Sequence, residues 1–422
     1  SSAASDVYKR QVVGGGISGL SIARILQNNS QEVIVLEADS RPGGMIKCDR
    51  IGNSLFHRMG GHVFNTKRKD VLSLFWQLFD SGKEFVKAYR NSCVFMGEKT
   101  IPYPIEDHVY MLNDELQKKI ISDLLNIVKC GESSCNNFES FLKGRFGKTL
   151  YDIYFQPYNY KVWRKELDTI PLSWLEGKLP MPTVQEMIYN NINHIEERKF
   201  VHSSFFYPQK GGSQFIADRF AEGLNIKYNT KVEKISYKEG KWNINGIESD
   251  RVIFCGNIKQ FPMMIESQPL LDIDGFIQDI NELKYHGTTA VFCKIQKNPY
   301  SWIYLPNRDY ESHRIICTGN FSESNNKEGE MTATVEFTDE ISLNDILNNL
   351  KRVPYSPQYI THNYEKCTYP IQSAKTRRLI ESLKHKTECL GLYFLGRFAE
   401  WEYYNMDIAI GAALDLYDNK LK

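Results

Sequence analysis

The stretch that most constrains this chain is Gly14-Gly15-Gly16-Ile17-Ser18-Gly19, which follows the apolar Val12-Val13 and opens a helical pattern, LSIARIL. Few folds place GxGxxG between a strand and a helix. Gly14 permits the tight turn, Gly16 lets a pyrophosphate approach the main chain, and Gly19 lets helix and strand pack closely. Ser18 lies in the same turn, where the free N–H groups and dipole of the helix N-terminus favour an anion. The next strand, EVIVLEA, ends in Glu37, at the spacing of a carboxylate on the adenosine ribose hydroxyls. A glutamate there favours an unphosphorylated ribose. Arg41-Pro42-Gly43-Gly44 follows. Alone this is a glycine turn. After the other two elements it favours FAD over NAD, with Gly43 and Gly44 approaching the flavin's ribityl chain.

With 422 residues the chain has room for two or three domains. The stretch NIKYNTKVEKISYKEGKWNINGIESDRVIFCG reads as strand, strand, turn, strand, strand, so the cofactor domain resumes after a long insertion. Val232 would set its backbone against adenine. The insertion carries apolar residues at helical spacing in DELQKKIISDLLNIVK and NFESFLKGRFGKTLYDIYF, with Asp114 as N-cap of the first. From about 290 to 336 the pattern alternates like antiparallel strands. The expected fold is α/β: a discontinuous Rossmann-like FAD-binding domain, an inserted helical domain and an antiparallel β-sheet substrate domain. The FAD-binding domain takes 12–75, 205–262 and 377–422, and the β-sheet domain takes 83–106 and 263–376. The helical domain takes 107–200, with a mobile flap near 161–182. Residues 1–11, SSAASDVYKRQ, lack a start methionine and read as a remnant outside the fold, leaving the first strand shortened.

Composition excludes several classes. Net charge is +1, so no field draws a nucleic acid or an anionic membrane. No apolar run approaches a membrane span, and no secretory signal is read. The nine cysteines are scattered without a CxxC pair. That pattern points to reduced thiols and a cytoplasmic location. No metal site is read. A homo-oligomer is compatible with the sequence.

Several further motifs, in order along the chain, resemble the UDP-galactopyranose mutase family within the amine-oxidase superfamily. Gly60-Gly61-His62-Val63-Phe64-Asn65-Thr66 looks like the family's GGH segment, whose histidine lies against the flavin. Pro157-Tyr158-Asn159-Tyr160-Lys161-Val162-Trp163 is similar to the segment entering the family's flap, where the tryptophan meets the nucleotide. Phe206-Tyr207-Pro208-Gln209-Lys210-Gly211-Gly212 resembles the return to the cofactor domain. Gly396-Arg397-Phe398, then Tyr403 and Asn405-Met406-Asp407-Ile408, looks like the closing motif, whose helix N-terminus would face the flavin.

The resemblance implies an isomerase that interconverts pyranose and furanose forms of a nucleotide sugar, UDP-galactose or a related NDP-hexose, as in galactofuranose and polysaccharide biosynthesis. In that family N5 of reduced FAD is the nucleophile on the anomeric carbon, with no net redox change. NAD(P)H or dithionite supplies the reduced form. Arg314 matches the diphosphate-binding arginine, with Tyr304 ten residues before it, and Tyr369 and Tyr403 match two further tyrosines. Tyr103, Asn159 and Asn405 fall on substrate positions, and His62, Gly60, Gly61 and Arg397 on flavin positions. The second family arginine falls on Lys178, which keeps charge but loses the planar fork. Other departures are Glu106 after Tyr103-Pro104-Ile105, His202 at a family asparagine, and Asn405 at an aspartate. Plainer readings remain beside these: His62 as a core histidine, Trp163 as a surface residue at a helix end, Lys178 as surface charge, and the aromatics around Trp401 as packing. The alternative activity is an FAD-dependent oxidoreductase of the amine-oxidase superfamily. A non-catalytic flavin-binding protein is the third reading.

Overall fold

The computed structural model describes residues 7–130, 135–170, 172, 182–195, 204–266 and 273–422, without the side chains of 7–9 and 374. Its elements group, among these residues, into two large sheets, two antiparallel strand pairs and a helical layer.

The first sheet has a parallel centre, the expected Rossmann-like arrangement. Val7–Val13 lies between Ile247–Phe254 and Val33–Leu36, parallel to both, and Leu392–Phe394 extends the row in parallel beyond Phe254. Ile235–Lys238 and Lys241–Ile244 add an antiparallel edge, and Ile226–Lys227 closes the other side. Val33–Leu36 and the C-terminal ends of its neighbours, Val12-Val13 and Val252-Ile253-Phe254, are apolar on successive residues because both faces of the sheet are packed there. The Ile17–Asn28, Gly212–Ala221 and Met406–Leu416 helices pack with them into one apolar core. The first strand starts at Val7 and pairs Val7 with Glu248. The end of the segment read as a remnant, from Val7, is therefore part of the sheet.

The second sheet runs Gln358–Pro370, Tyr285–Lys294, Thr332–Thr338, Arg314–Ile316, Trp302–Tyr304, Ser92–Phe95 and Thr100–Pro102. Its pairings are antiparallel except Trp302–Tyr304 with Ser92–Phe95. The alternation expected here exists, but in polarity rather than exposure. Every residue of Thr332–Thr338 is buried. Ala333, Val335 and Phe337 enter an apolar cluster, while their neighbours Thr332, Thr334 and Glu336 take the opposite face of the pleat.

The helical layer follows the expected periodicity with local corrections. The first helix spans Asp114–Cys130, but its cap is Asn113, whose side-chain oxygen accepts from Leu116 N at 2.9 Å, so Asp114 is already inside the helix. The second pattern is broken. Phe138–Phe146 ends at Gly147, with φ +85°, and a wide turn at Tyr151–Phe155 leads into Gln156–Trp163. A side chain at Gly147 would lie 2.6 Å from Asp123 Cβ, which fixes the break there. Among the described residues no helix is long and apolar enough to cross a membrane.

Candidate functional site

The glycine-rich turn is built for close main-chain approach. A Cβ on Gly19 would lie 2.0 Å from the Gly14 carbonyl oxygen, so only glycine lets the Ile17–Asn28 helix seat against the turn. Gly16 and Gly43 form a parallel bridge, and a Cβ on Gly44 would stand 3.1 Å from Gly16 Cα. Glu37, just after its strand, accepts from Gly15 N at 2.5 Å and from Asp39 N at 2.9 Å. Gly396, from the far end of the chain, stands against Ser18: a Cβ there would be 2.8 Å from Ser18 Oγ. Val232 is buried in the core beneath.

A cavity opens beyond this turn. Gly60, Gly61, His62, Arg397 and the first turn of the Met406–Leu416 helix wall one part of it. Tyr304, Arg314 and Tyr369 from the second sheet wall another. Arg314 and Tyr304 are cross-strand partners, so the ten-residue spacing becomes adjacency across a hairpin. Arg314 donates to the Tyr369 hydroxyl at 3.0 Å, and Tyr369 stacks on Tyr403 at 5.4 Å, 11° apart. Arg397 lies 4.3 Å over the Tyr403 ring and donates to the carbonyls of Tyr404 and Thr368 at 3.0 Å each. Asn405 is the helix N-cap and makes no side-chain cap bond, and it lines the cavity with Met406 and Asp407. Burial raises the Asp407 carboxyl above its ordinary range.

A buried carboxylate organises the sheet side. Glu336 bonds Arg314 Nε, accepts from Gly60 N at 3.0 Å and has His313 Nε2 at 3.6 Å. Burial acts to raise its carboxyl, but Arg314 and His313 outweigh burial and bring it down to about 2. His62 is half-buried, and its desolvation with the nearby Arg397 charge pushes it down to about 4, so it is a neutral imidazole at neutral pH. Its Nε2 is buried without a hydrogen-bond partner. An orphaned ring nitrogen beside two glycines, in a cavity that a helix N-terminus also lines, fits a planar polar group such as a flavin ring. The main-chain cradle at Gly16, Gly43 and Gly44 fits its diphosphate.

Other predicted residues stand apart from the cavity lining. Asn159 is turned into its own helix, donating to Phe155 O at 2.8 Å. Trp163 is the last residue of that helix rather than part of a loop; it is buried and meets Tyr369 edge-on at 6.1 Å. Tyr103 packs 5.0 Å from the Tyr304 ring. Ile408 is exposed. Glu106 is buried, and the carboxylates on the cavity wall are instead Glu336 and Asp407. The aromatic patch near the C-terminus divides: Trp401 is fully buried core, donating to Ile371 O at 3.2 Å, and Tyr403 faces the cavity. Lys178 and His202 lie outside the described residues.

Sequence reasoning missed Glu336 and Arg90. A lone charge in TVEFT was the available signal for Glu336. Arg90 lines the cavity, bonds the Tyr304 hydroxyl and Ser92 Oγ, and lies 4.9 Å over the Trp302 ring.

A family profile described as an NAD(P)-binding Rossmann-like domain matches residues 12–79. UDP-galactopyranose mutase of Mycoplasma genitalium is 23% identical over 94% of this chain and 91% of its own. The dTDP-fucopyranose mutase of Escherichia coli is 21% identical over 96% of each. The crystal structure of a reduced UDP-galactopyranose mutase superposes with TM-score 0.88 at 19% identity, covering 98% of this chain and 94% of that one. The chain is a distant relative of the UDP-galactopyranose mutases. Relatives of that name over nearly the whole chain support a pyranose–furanose mutase, and so an isomerase. The flavin-containing amine oxidase A of Sus scrofa, 31% identical over 26% of this chain and 24% of its own, marks a more distant kinship and supports a flavin cofactor.

Proposed function

We propose that this chain interconverts the pyranose and furanose forms of a nucleoside-diphosphate hexose, with reduced FAD bound along the glycine turn and the cavity. The observation that carries the reading is the set of groups gathered in that cavity. Arg314 and its hydrogen-bonded Tyr369, with Tyr304 and Tyr403, line it together with the His62 segment and the helix starting at Met406. When bound and reduced, the flavin supplies a nucleophilic nitrogen for the anomeric carbon. The residues of the chain do the rest. Arg314 and Arg90 offer guanidinium donors to a leaving diphosphate, for which planar charged forks are the physical answer. Tyr304, Tyr369 and Tyr403 orient it through hydroxyls. The free N–H groups at Met406 and Asp407 stabilise negative charge on the ring edge. Glu336 keeps Arg314 in place and His62 stays neutral beside the ring.

Because one mutase relative is named for UDP-galactopyranose and another for dTDP-fucopyranose, both sugar and base belong in the test. All nine cysteines are free thiols, which suits work in the cytoplasm. Three arginines on the wall disfavour the amine substrate of an oxidase. The test is product analysis with a panel of nucleotide sugars after dithionite or NAD(P)H reduction. Furanose product over many turnovers per reduction is expected, and none from oxidised enzyme. Reductant consumed in proportion to product overturns the mutase reading in favour of the oxidoreductase.

A further inference from the structure

Lys161 has no part in the mechanism above, yet it is a buried lysine. It lies in the last turn of Gln156–Trp163, 5% exposed. Its ammonium donates to Leu305 O at 2.8 Å and Ser312 O at 3.0 Å, and sits 4.4 Å over the Tyr310 ring. Those two carbonyls are the two ends of the loop joining the strand that ends at Tyr304 to the strand that begins at Arg314. Leu305 N also bonds His313 O at 2.9 Å, so the lysine closes a loop whose mouth is already paired. The same helix touches the cavity wall twice more. Tyr158 meets the Tyr304 ring edge-on at 5.4 Å, and Trp163 meets Tyr369 edge-on at 6.1 Å. On the loop itself Glu311 pairs with Arg164 at 2.7 Å and Arg308 bonds Gln156 on the helix, while Asp309 and His313 are further ionisable neighbours.

A solvated lysine would do none of this. Burying an ammonium is unfavourable unless its donors are used, and here they are used on main-chain carbonyls that no other side chain among the described residues bonds. We propose that Lys161 is a positioning residue: it locks the Leu305–His313 loop to the Gln156–Trp163 helix and so sets Tyr304 and Arg314 for the diphosphate. This rests on the nucleotide-sugar reading of the cavity.

The test uses FAD-loaded protein, UDP as probe, and Lys161→Met, which keeps the length of the side chain and removes its donors. Weakening of UDP binding by about tenfold is expected, the size of a lost hydrogen bond to a charged group. Flavin content and visible spectrum should stay those of the parent. In an Arg314→Lys background the same change should have less than half its logarithmic effect, since the two residues act through one loop. Unchanged UDP affinity, an effect of equal size in both backgrounds, or loss of flavin in step with UDP affinity overturns the proposal. Should Lys161→Met yield no folded holoprotein, Lys161→Gln, whose shorter neutral amide removes the ammonium from the two carbonyls, carries the same cycle with the same expected outcomes. A parent that does not bind UDP overturns the substrate reading instead.

Discussion

The two ends of the cleft are made from different parts of the polypeptide. The glycine turn around Gly14–Gly19 and Gly43–Gly44 works through main-chain atoms, and its requirement is the absence of side chains. The cavity wall works through charged and aromatic side chains: Arg314, Glu336, Arg90, Tyr369 and Tyr403. A main-chain site fails when anything is added. A side-chain site fails by degrees when something is taken away, because its members share partners.

The largest expected effect is therefore at the first end. Gly19→Ala puts a carbon 2.0 Å from the Gly14 carbonyl oxygen, in backbone that cannot give. We expect protein without retained flavin, read from the absorbance of the purified sample and of the released chromophore. A yellow protein with the parent's flavin content would remove the distinction between the two ends.

Next is Glu336→Ala. Its carboxylate bonds Arg314 and receives Gly60 N, and it is fully buried. Removing one partner of a buried ion pair costs about 3–5 kcal/mol, read by denaturant unfolding. The carboxylate titrates at about 2 in the fold against an ordinary 4.5, so its stabilisation is present above 4.5 and is lost as pH falls towards 2. Glu336→Gln should flatten the pH dependence of stability in that acid window. A variant with the parent's acid-unfolding profile would show that Glu336 carries no such charge.

Arg314→Ala comes third. It should weaken UDP binding by about ten- to a hundredfold, the equivalent of about 1.5–3 kcal/mol, and leave flavin retention alone. Titration calorimetry with UDP, alongside flavin content, separates the two. Equal loss of flavin and UDP would mean that the ends of the cleft are one cooperative unit.

The same contrast explains what the sequence disclosed. The glycine turn, Glu37 and the second glycine pair are local in the chain, and their spacing is their geometry. The parallel sheet followed from them. The side-chain wall is assembled from strands far apart in sequence, so Glu336 reads as one charge in a strand and Arg90 as one charge in AYRNS. Nothing local says that the first is buried against Arg314 or that the second leans on Trp302. The aromatic run near the C-terminus shows the limit most plainly. Trp401 and Tyr403 are two residues apart, and packing alone sends the former into the core and the latter to the cavity. Arg314, Tyr304, Tyr369 and Tyr403 were reached through family resemblance, which records such assembly where spacing cannot.

Arg90 gives the smallest and most discriminating test. Among the described residues Glu336 pairs with Arg314, while Arg90 has no ion pair and is held by neutral partners, the Tyr304 hydroxyl and Ser92 Oγ, above the Trp302 ring. Its charge is thus less compensated and still has donors to offer a phosphate. Arg90→Met keeps contact with the tryptophan and removes the charge. We expect UDP to bind about tenfold more weakly, the low end of a charged hydrogen bond, with unfolding stability close to the parent, because no buried charge is stranded. Raising ionic strength should shrink the difference, since a part-exposed charge is screened. Parent-like UDP affinity at low salt would leave Arg314 as the wall's working cation and confine Arg90 to orienting Tyr304. A stability loss as large as that of Glu336→Ala would instead place Arg90 among the residues that hold the wall together.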